Sequence, residues 1–138
     1  GWLSIAAGIS TASLAFHIGT SARLMRAMPN TPAAIGAGIT ALYCSEAVTA
    51  GQKKLAESLL QACGDVVHIE DEMMMNVVTA ISGSGPAYVF LLAEVMADAG
   101  RRLGLHADVA QNLHVRRYPA LAHFCPQKHC LPLLFVKM

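Results

Sequence analysis

Asn30 is the polar side chain that we consider first as a candidate binding residue. It lies between two prolines in the segment Arg26–Gly38, which reads RAMPNTPAAIGAG. Pro29 and Pro32 fix their own backbone angles and push the residues before them towards extended conformations, so we predict a shaped loop and disfavour helix. An amide donates and accepts hydrogen bonds, and this one cannot easily swing away. A plain turn explains the same residues, since turns are rich in Pro, Asn and Gly, and both interpretations stay open.

The second stretch with chemical potential is Ser82–Pro86, which reads SGSGP. Its glycines permit close backbone approach and its serines can cap a helix. The free N–H groups of a helix that follows could hold an anion or a carboxylate. A joint between two helices accounts for the same residues, so a binding role again competes with a structural one.

Two other patterns resemble binding motifs but lack the context that those motifs need. Ile35–Ala41, IGAGITA, has the glycine spacing of a dinucleotide-binding turn, but that turn needs a strand before it and a helix after it. Here a proline loop precedes the glycines and β-type residues follow. His123, Cys125, His129 and Cys130 are potential zinc ligands, yet they crowd together instead of forming two separated pairs. We therefore predict neither a phosphate-binding turn nor a metal site.

The composition indicates a soluble chain with large buried faces, since 54% of its 138 residues are hydrophobic and 14% are charged. Glu94 and Asp98 interrupt the most apolar stretch, so we expect no membrane span. The body of the chain lacks a basic stripe with interleaved aromatic residues, which argues against a nucleic-acid partner. The four cysteines lack the spacing of a disulfide framework, which favours a reduced, cytoplasmic setting.

Strand and helix patterns alternate over the first seventy residues, which indicates an α/β layer. A short helix is expected after Ser10 or Thr11, since either residue can cap it. An amphipathic helix is expected over Thr49–Cys63, with Leu55, Leu59, Leu60 and Cys63 on its buried stripe. The predicted strands are Trp2–Ala7, Ala22–Met28, Ile39–Cys44 and Val66–Ile69.

After Glu70 the pattern becomes helical. We predict a helix over MMMNVVTAI, an interruption at SGSGP, and a long helix from Ala87 to about Leu103 with Pro86 in its first turn. Another helix is expected from His106 or Asp108. The apolar residues of this part exceed what one chain can bury alone, which predicts a subunit interface.

From His114 to Met138 neither helix nor strand periodicity is present. This segment holds four basic residues and no acidic residue, whereas residues 1–113 hold all nine acidic residues. An altered reading frame would produce such a change. We therefore predict an aberrant, disordered tail over residues 114–138.

Three motifs taken together resemble the pyrroline-5-carboxylate reductases: SIAAGI at residues 4–9, RAMPNTPAAIGAG at 26–38 and TAISGSGPAYVFLLAEVMADAG at 79–100. The resemblance covers about residues 1–113. It implies an α/β chain comprising the C-terminal part of a Rossmann-type NAD(P)-binding domain at residues 1–70, followed by the start of an all-helical dimerisation domain at 71–113. It also implies reduction of 1-pyrroline-5-carboxylate to L-proline with NADP or NAD as cofactor, in a cytoplasmic homo-oligomer.

The resemblance also assigns roles to individual residues. Ile5, Ala6, Ala7, Asn30 and Thr79 match cofactor-binding positions, and Glu72 matches a position near the substrate. No residue is assigned as catalytic and none as a metal ligand.

The family's glycine fingerprint would lie before Gly1, and its Pro-Gly-Gly-Thr segment would lie beyond Leu113. We therefore expect an internal fragment that is inactive alone. The alternatives are a non-catalytic helical dimerisation fragment or pseudoenzyme, and another dehydrogenase with a short Rossmann domain and a helical domain.

Overall fold

The computed structural model describes residues 1–115, which fall into two compact units, Gly1–Ser84 and a second unit that begins at Gly85. The segment predicted to be aberrant, 114–138, lies outside the described residues apart from its first two. The potential zinc ligands at 123–130 also lie outside them. The proposed domain bounds at residues 1–70 and 71–113 stay predictions.

The first unit is built on a four-stranded sheet in the order β1, β2, β3, β4. β1 pairs with β2 and β3 pairs with β4 in parallel, whereas β2 and β3 are antiparallel. Helices connect the two parallel pairs, so the predicted α/β class is confirmed. The strands are β1 Trp2–Ser4, β2 Leu24–Met28, β3 Gly38–Cys44 and β4 Gly64–Ile69.

Helices α1, Thr11–Ile18, and α2, Ala50–Leu60, begin where the sequence predicts. Ser10 caps α1 by accepting a hydrogen bond from the backbone N–H of Ser13. Thr49 and Gln52 cap α2 reciprocally, each side chain accepting from the other's backbone N–H. Both caps satisfy N–H groups that have no partner inside the helix.

The expected buried stripe of α2 is confirmed at Leu60 but wrong at Leu55, Leu59 and Cys63. Ala56 is the buried residue of this helix, and it joins the core cluster with Leu60 packed against it. Leu55 and Leu59 each remain 62% exposed. They lie one position before Ala56 and Leu60, about 100° away around the helix, so they point away from the sheet. The small Ala56 side chain lets the helix lie close to the strands.

The proline loop departs from the prediction because it contains one short helical segment. Thr31–Ile35 forms a 3₁₀ helix, which tolerates Pro32 because the first turn of a helix does not use its N–H groups. The segment ends at Gly36 in the left-handed conformation, with φ of 71°. Gly38 then begins β3, so the glycines lead into a strand and the interpretation of IGAGITA as a decoy is confirmed.

SGSGP does not interrupt the helical path as expected. Helix α3, Met74–Val78, runs into a π-helical turn at Thr79–Gly83, and Ser84 separates this turn from α4, Gly85–Arg102. π turns are rare and occur frequently at functional sites. The last described helix is α5, Ala107–Val115, as predicted.

Helix α4 exposes a broad apolar surface. Tyr88, Phe90, Leu91, Leu92 and Val95 are each more than half exposed. The expectation that one chain cannot bury these residues alone is confirmed for the described part of the chain.

The continuous helical stretch Met74–Arg102 is long and apolar enough to cross a membrane, contrary to our expectation. Its most apolar 18-residue window has a mean hydropathy of 1.3 and is 11% buried. The charges that we took as interruptions are too few to lower the window average. Length and composition do not separate a membrane span from a helix that pairs with another protein surface.

Candidate functional site

The loop between β1 and α1, residues 5–10, is the most exposed of the predicted cofactor-binding segments. Ile5 is 65% exposed, and Ala6 and Ala7 are exposed as well. The backbone N–H of Ala6 donates to Ser4 Oγ at 3.3 Å. The small alanine side chains leave the backbone of this loop accessible to a flat ligand.

Asn30 is buried, and its amide has one engaged end and one free end. Its Oδ1 accepts a hydrogen bond from the backbone N–H of Ile39 at 3.0 Å, which ties the loop to β3. Its Nδ2 is buried and has no hydrogen-bond partner in the described part of the chain. The carbonyl end of Asn30 therefore has a structural role, while the donor end is buried without a partner among residues 1–115. Buried donors are usually satisfied, so a free one calls for an explanation.

The C-terminal end of β2 and the π turn approach each other at Met28 and Gly83. A Cβ atom on Gly83 would lie 2.8 Å from Met28 Cε, so glycine permits this close approach. Next to the contact, the hydroxyl of Ser82 is a second buried polar group without a partner among the described residues. Sequence reasoning singled out SGSGP but not Ser82 itself, because burial of that hydroxyl depends on the π turn.

Thr79, the predicted cofactor contact in the helical part, opens the π turn. Its hydroxyl donates to the backbone carbonyl of Met75 at 2.8 Å. Its own carbonyl accepts from Ser84, from the backbone N–H at 2.8 Å and from Oγ at 3.1 Å. The hydroxyl hydrogen of Thr79 is thus engaged within the helix, and its oxygen keeps acceptor capacity.

Glu72 is tied to two distant elements. Its Oε1 accepts from the backbone N–H of Thr11 at 2.6 Å and from Arg26 Nη1 at 2.8 Å. Its Oε2 accepts from Thr11 Oγ1 at 2.5 Å. The carboxylate therefore sits at the N-terminus of α1, where the helix dipole favours negative charge.

Burial, hydrogen bonds and a neighbouring charge together set the pKa of Glu72. Partial burial acts to raise its pKa, but the hydrogen bonds from Thr11 and Arg26 and the charge of Arg26 outweigh it, so the pKa lies below its ordinary value. Arg26 is only 8% exposed. The nearly buried Arg26 therefore favours the charged form of Glu72.

Glu72 contacts Thr11 at the end of the loop that holds Ile5–Ala7. Met28, two residues before Asn30, approaches Gly83 in the π turn that Thr79 opens. Among residues 1–115, no cluster of three or more metal-ligating side chains is present.

Comparison with known proteins agrees with these motifs. The family description "pyrroline-5-carboxylate reductase dimerisation" matches residues 72–130. A pyrroline-5-carboxylate reductase from Pseudomonas aeruginosa is 47% identical over 111 residues, and one from Synechocystis is 43% identical over 111 residues. Over 80% of its own length the chain is similar to pyrroline-5-carboxylate reductases. The matched segment covers 80% of this chain but only 41% of either relative.

Solved structures of pyrroline-5-carboxylate reductases show the same fold. The enzyme from Coxiella burnetii aligns with a TM-score of 0.78 at 36% identity, covering 94% of this chain and 48% of that one. The enzyme from Plasmodium falciparum, solved with NADP bound, aligns with a TM-score of 0.84 at 31% identity, covering 93% and 50%. The resemblance drawn from the three motifs is thus confirmed, for a chain that spans about half the length of its relatives. The family match also runs past Leu113, into the segment predicted to be aberrant.

Proposed function

We propose that this chain supplies part of a pyrroline-5-carboxylate reductase, which transfers hydride from NADPH or NADH to the C=N carbon of 1-pyrroline-5-carboxylate and gives L-proline. The observation that carries the proposal is the free, buried Nδ2 donor of Asn30 in the proline loop. The similarity to pyrroline-5-carboxylate reductases supports the same reaction, because the relatives carry that name.

The residues present fit the nicotinamide end of the cofactor. A nicotinamide carries a carboxamide, whose oxygen accepts the kind of hydrogen bond that Asn30 Nδ2 leaves unmade. The exposed loop with Ile5, Ala6 and Ala7 offers an apolar, low-relief surface for the ring. Thr79 offers a hydroxyl oxygen as acceptor. We assign these five residues to the cofactor.

The cofactor supplies the hydride, so the chain contributes orientation and exclusion of water. Pro29 and Pro32 hold the backbone around Asn30, and the bond from Ile39 N–H to Oδ1 fixes the amide plane. A donor held in this way does not need to be ordered when the ligand arrives, which lowers the entropic cost of alignment.

The second unit fits a role in self-association. Its helix α4 exposes five large apolar side chains in two turns, and residues 72–130 match a dimerisation family. We propose a cytoplasmic homo-oligomer in which this surface meets a second copy, with no nucleic acid and no membrane involved. The apolar length of Met74–Arg102 is then explained by subunit contact.

The alternative is a non-catalytic dimerisation fragment or pseudoenzyme. The observation that favours it is coverage, since the chain spans 41% of its curated relatives. Both proposals predict self-association, but only the first predicts that the site residues serve hydride transfer.

A chimera separates the two proposals. The segment of this chain that matches the Pseudomonas aeruginosa relative replaces the corresponding segment of that relative. NADPH oxidation is followed with 1-pyrroline-5-carboxylate as substrate. The chain alone is the control and is expected to bind NADPH poorly. Substrate-dependent NADPH oxidation with proline as product supports the enzyme, whereas a folded chimera without turnover supports the non-catalytic alternative.

A further inference from the structure

Glu72 was expected near the substrate, but its contacts give it another role. We propose that Glu72 is a positioning residue, whose carboxylate, held by Arg26, fixes the loop of residues 5–10 from its C-terminal end. The part of this proposal that concerns the cofactor rests on the proposed function.

The first step of the argument is that the loop has two anchors. At its start, β1 ends with Ser4 paired to Arg26 in the parallel ladder. At its end, Thr11 gives both its backbone N–H and its hydroxyl hydrogen to Glu72. Outside the sheet ladder, the other hydrogen bonds of this loop among residues 1–115 are local: Ala6 N–H donates to Ser4 Oγ, and Ser10 caps α1.

The second step is that Arg26 belongs to both anchors. Its backbone aligns with Ser4, and its guanidinium binds Glu72 at 2.8 Å. Because side chains alternate along a strand, Arg26 points to the sheet face opposite Met25 and Ala27, which belong to the core cluster. Arg26 therefore holds both ends of the loop: its backbone pairs with Ser4, and its guanidinium binds Glu72, which in turn binds Thr11.

The third step concerns the remaining hydrogen-bond acceptor capacity of the Glu72 carboxylate. Both oxygens of Glu72 already accept hydrogen bonds, and all three bonds are 2.8 Å or shorter. The side chain is 20% exposed. These bonds occupy three of the roughly four lone-pair sites of the carboxylate, and a positioning role uses them as they stand.

The test compares Glu72→Gln, Thr11→Val and the double variant in the chimera, with Glu70→Gln as the matched control because Glu70 is exposed and near in sequence. Cofactor affinity is measured by NADPH fluorescence, and KM for the imine by steady-state kinetics. We expect each single variant to weaken NADPH binding by on the order of tenfold, with the double variant close to the worse single one, because both remove the same contact.

Two results would overturn the proposal. If Glu72 contacts the substrate, Glu72→Gln raises KM for the imine while Thr11→Val leaves both constants unchanged. If the cluster is only structural, both variants lower the melting temperature while NADPH affinity stays that of the control.

Amide hydrogen exchange in the chain itself separates failure of this proposal from failure of the proposed function. Glu72→Gln is expected to speed exchange at Thr11 and in residues 5–10, while Glu70→Gln does not. Unchanged exchange in Glu72→Gln shows that Glu72 does not anchor the loop and overturns the proposal. Faster exchange together with a chimera that binds no NADPH overturns the proposed function and the cofactor part, and leaves the anchoring part supported.

Discussion

The ion pair between Glu72 and Arg26 predicts an asymmetry in stability that can be measured with one replacement residue. Glu72→Met and Arg26→Met introduce the same unbranched apolar side chain at the two ends of the 2.8 Å contact. Each variant removes one charge and leaves the other behind. What remains differs, because the two side chains have different partners and different burial.

The magnitudes follow from what each variant leaves behind. Glu72→Met leaves Arg26, 8% exposed, as a buried charge without its carboxylate, and such a change costs about 3–5 kcal/mol. It also removes the acceptor of the Thr11 N–H. Arg26→Met leaves Glu72 20% exposed and still bound to Thr11 at the N-terminus of α1. The loss is one charged hydrogen bond, about 1.5–3 kcal/mol.

Urea unfolding of the chain, followed through Trp2, its single tryptophan, gives both values. We expect Glu72→Met to lower the free energy of unfolding by about 2 kcal/mol more than Arg26→Met does. If Glu72→Met does not fold, the milder Glu72→Gln serves for the Glu72 arm, and it should still be less stable than wild type. The reasoning is refuted if Arg26→Met costs as much as the Glu72 replacement, or more.

Three further predictions concern pH, backbone and assembly. The pKa of Glu72 is lowered in the folded state, so its contribution to stability is present above the ordinary carboxyl pKa of 4.5 and is lost as the pH falls from there through the lowered pKa. The urea midpoint should therefore drop on acidification, and it should drop less in Glu72→Gln. Gly64 has φ of 132°, a conformation that strains other residues, so Gly64→Ala should lower the free energy of unfolding by about 1–3 kcal/mol. Gly51 occupies an open position in α2, so Gly51→Ala should raise the free energy of unfolding slightly. Equal effects of the two substitutions would contradict this prediction. Leu91→Glu should weaken self-association in sedimentation velocity and Leu55→Glu should not, and the reverse would place the interface on α2.

Local signals predicted the elements of the first unit well. Ser10 and the Thr49–Gln52 pair are capping residues by type and spacing, and both helices begin there. The alternation of strand and helix also gave the α/β class. Errors arose where the backbone used rarer helical forms, in the 3₁₀ segment at Thr31–Ile35 and the π turn at Thr79–Gly83, because no simple periodicity marks either form.

The candidate site was predictable only in part, because much of it depends on tertiary contacts. Asn30 stands out in the sequence, yet the engagement of its carbonyl with Ile39 requires the loop to fold back onto β3. Glu72 meets Thr11 and Arg26 across 61 and 46 residues, and no sequence pattern shows such a contact. The predicted buried face of α2 was wrong for a related reason. In the structure the small Ala56 packs against the sheet and the larger Leu55 is exposed, and this choice depends on tertiary packing.

The central claim, that the free amide donor of Asn30 serves the nicotinamide, is tested most directly by Asn30→Asp in the chimera. The carboxylate keeps an acceptor for the Ile39 N–H, so the loop can retain that tie to β3, but it replaces the donor with an acceptor and brings a negative charge into a buried position. We predict a kcat/KM at least about tenfold lower than that of the unmodified chimera, because misalignment of reacting groups is costly in rate. The donor's role is contradicted if Asn30→Asp reduces the imine with an unchanged kcat/KM.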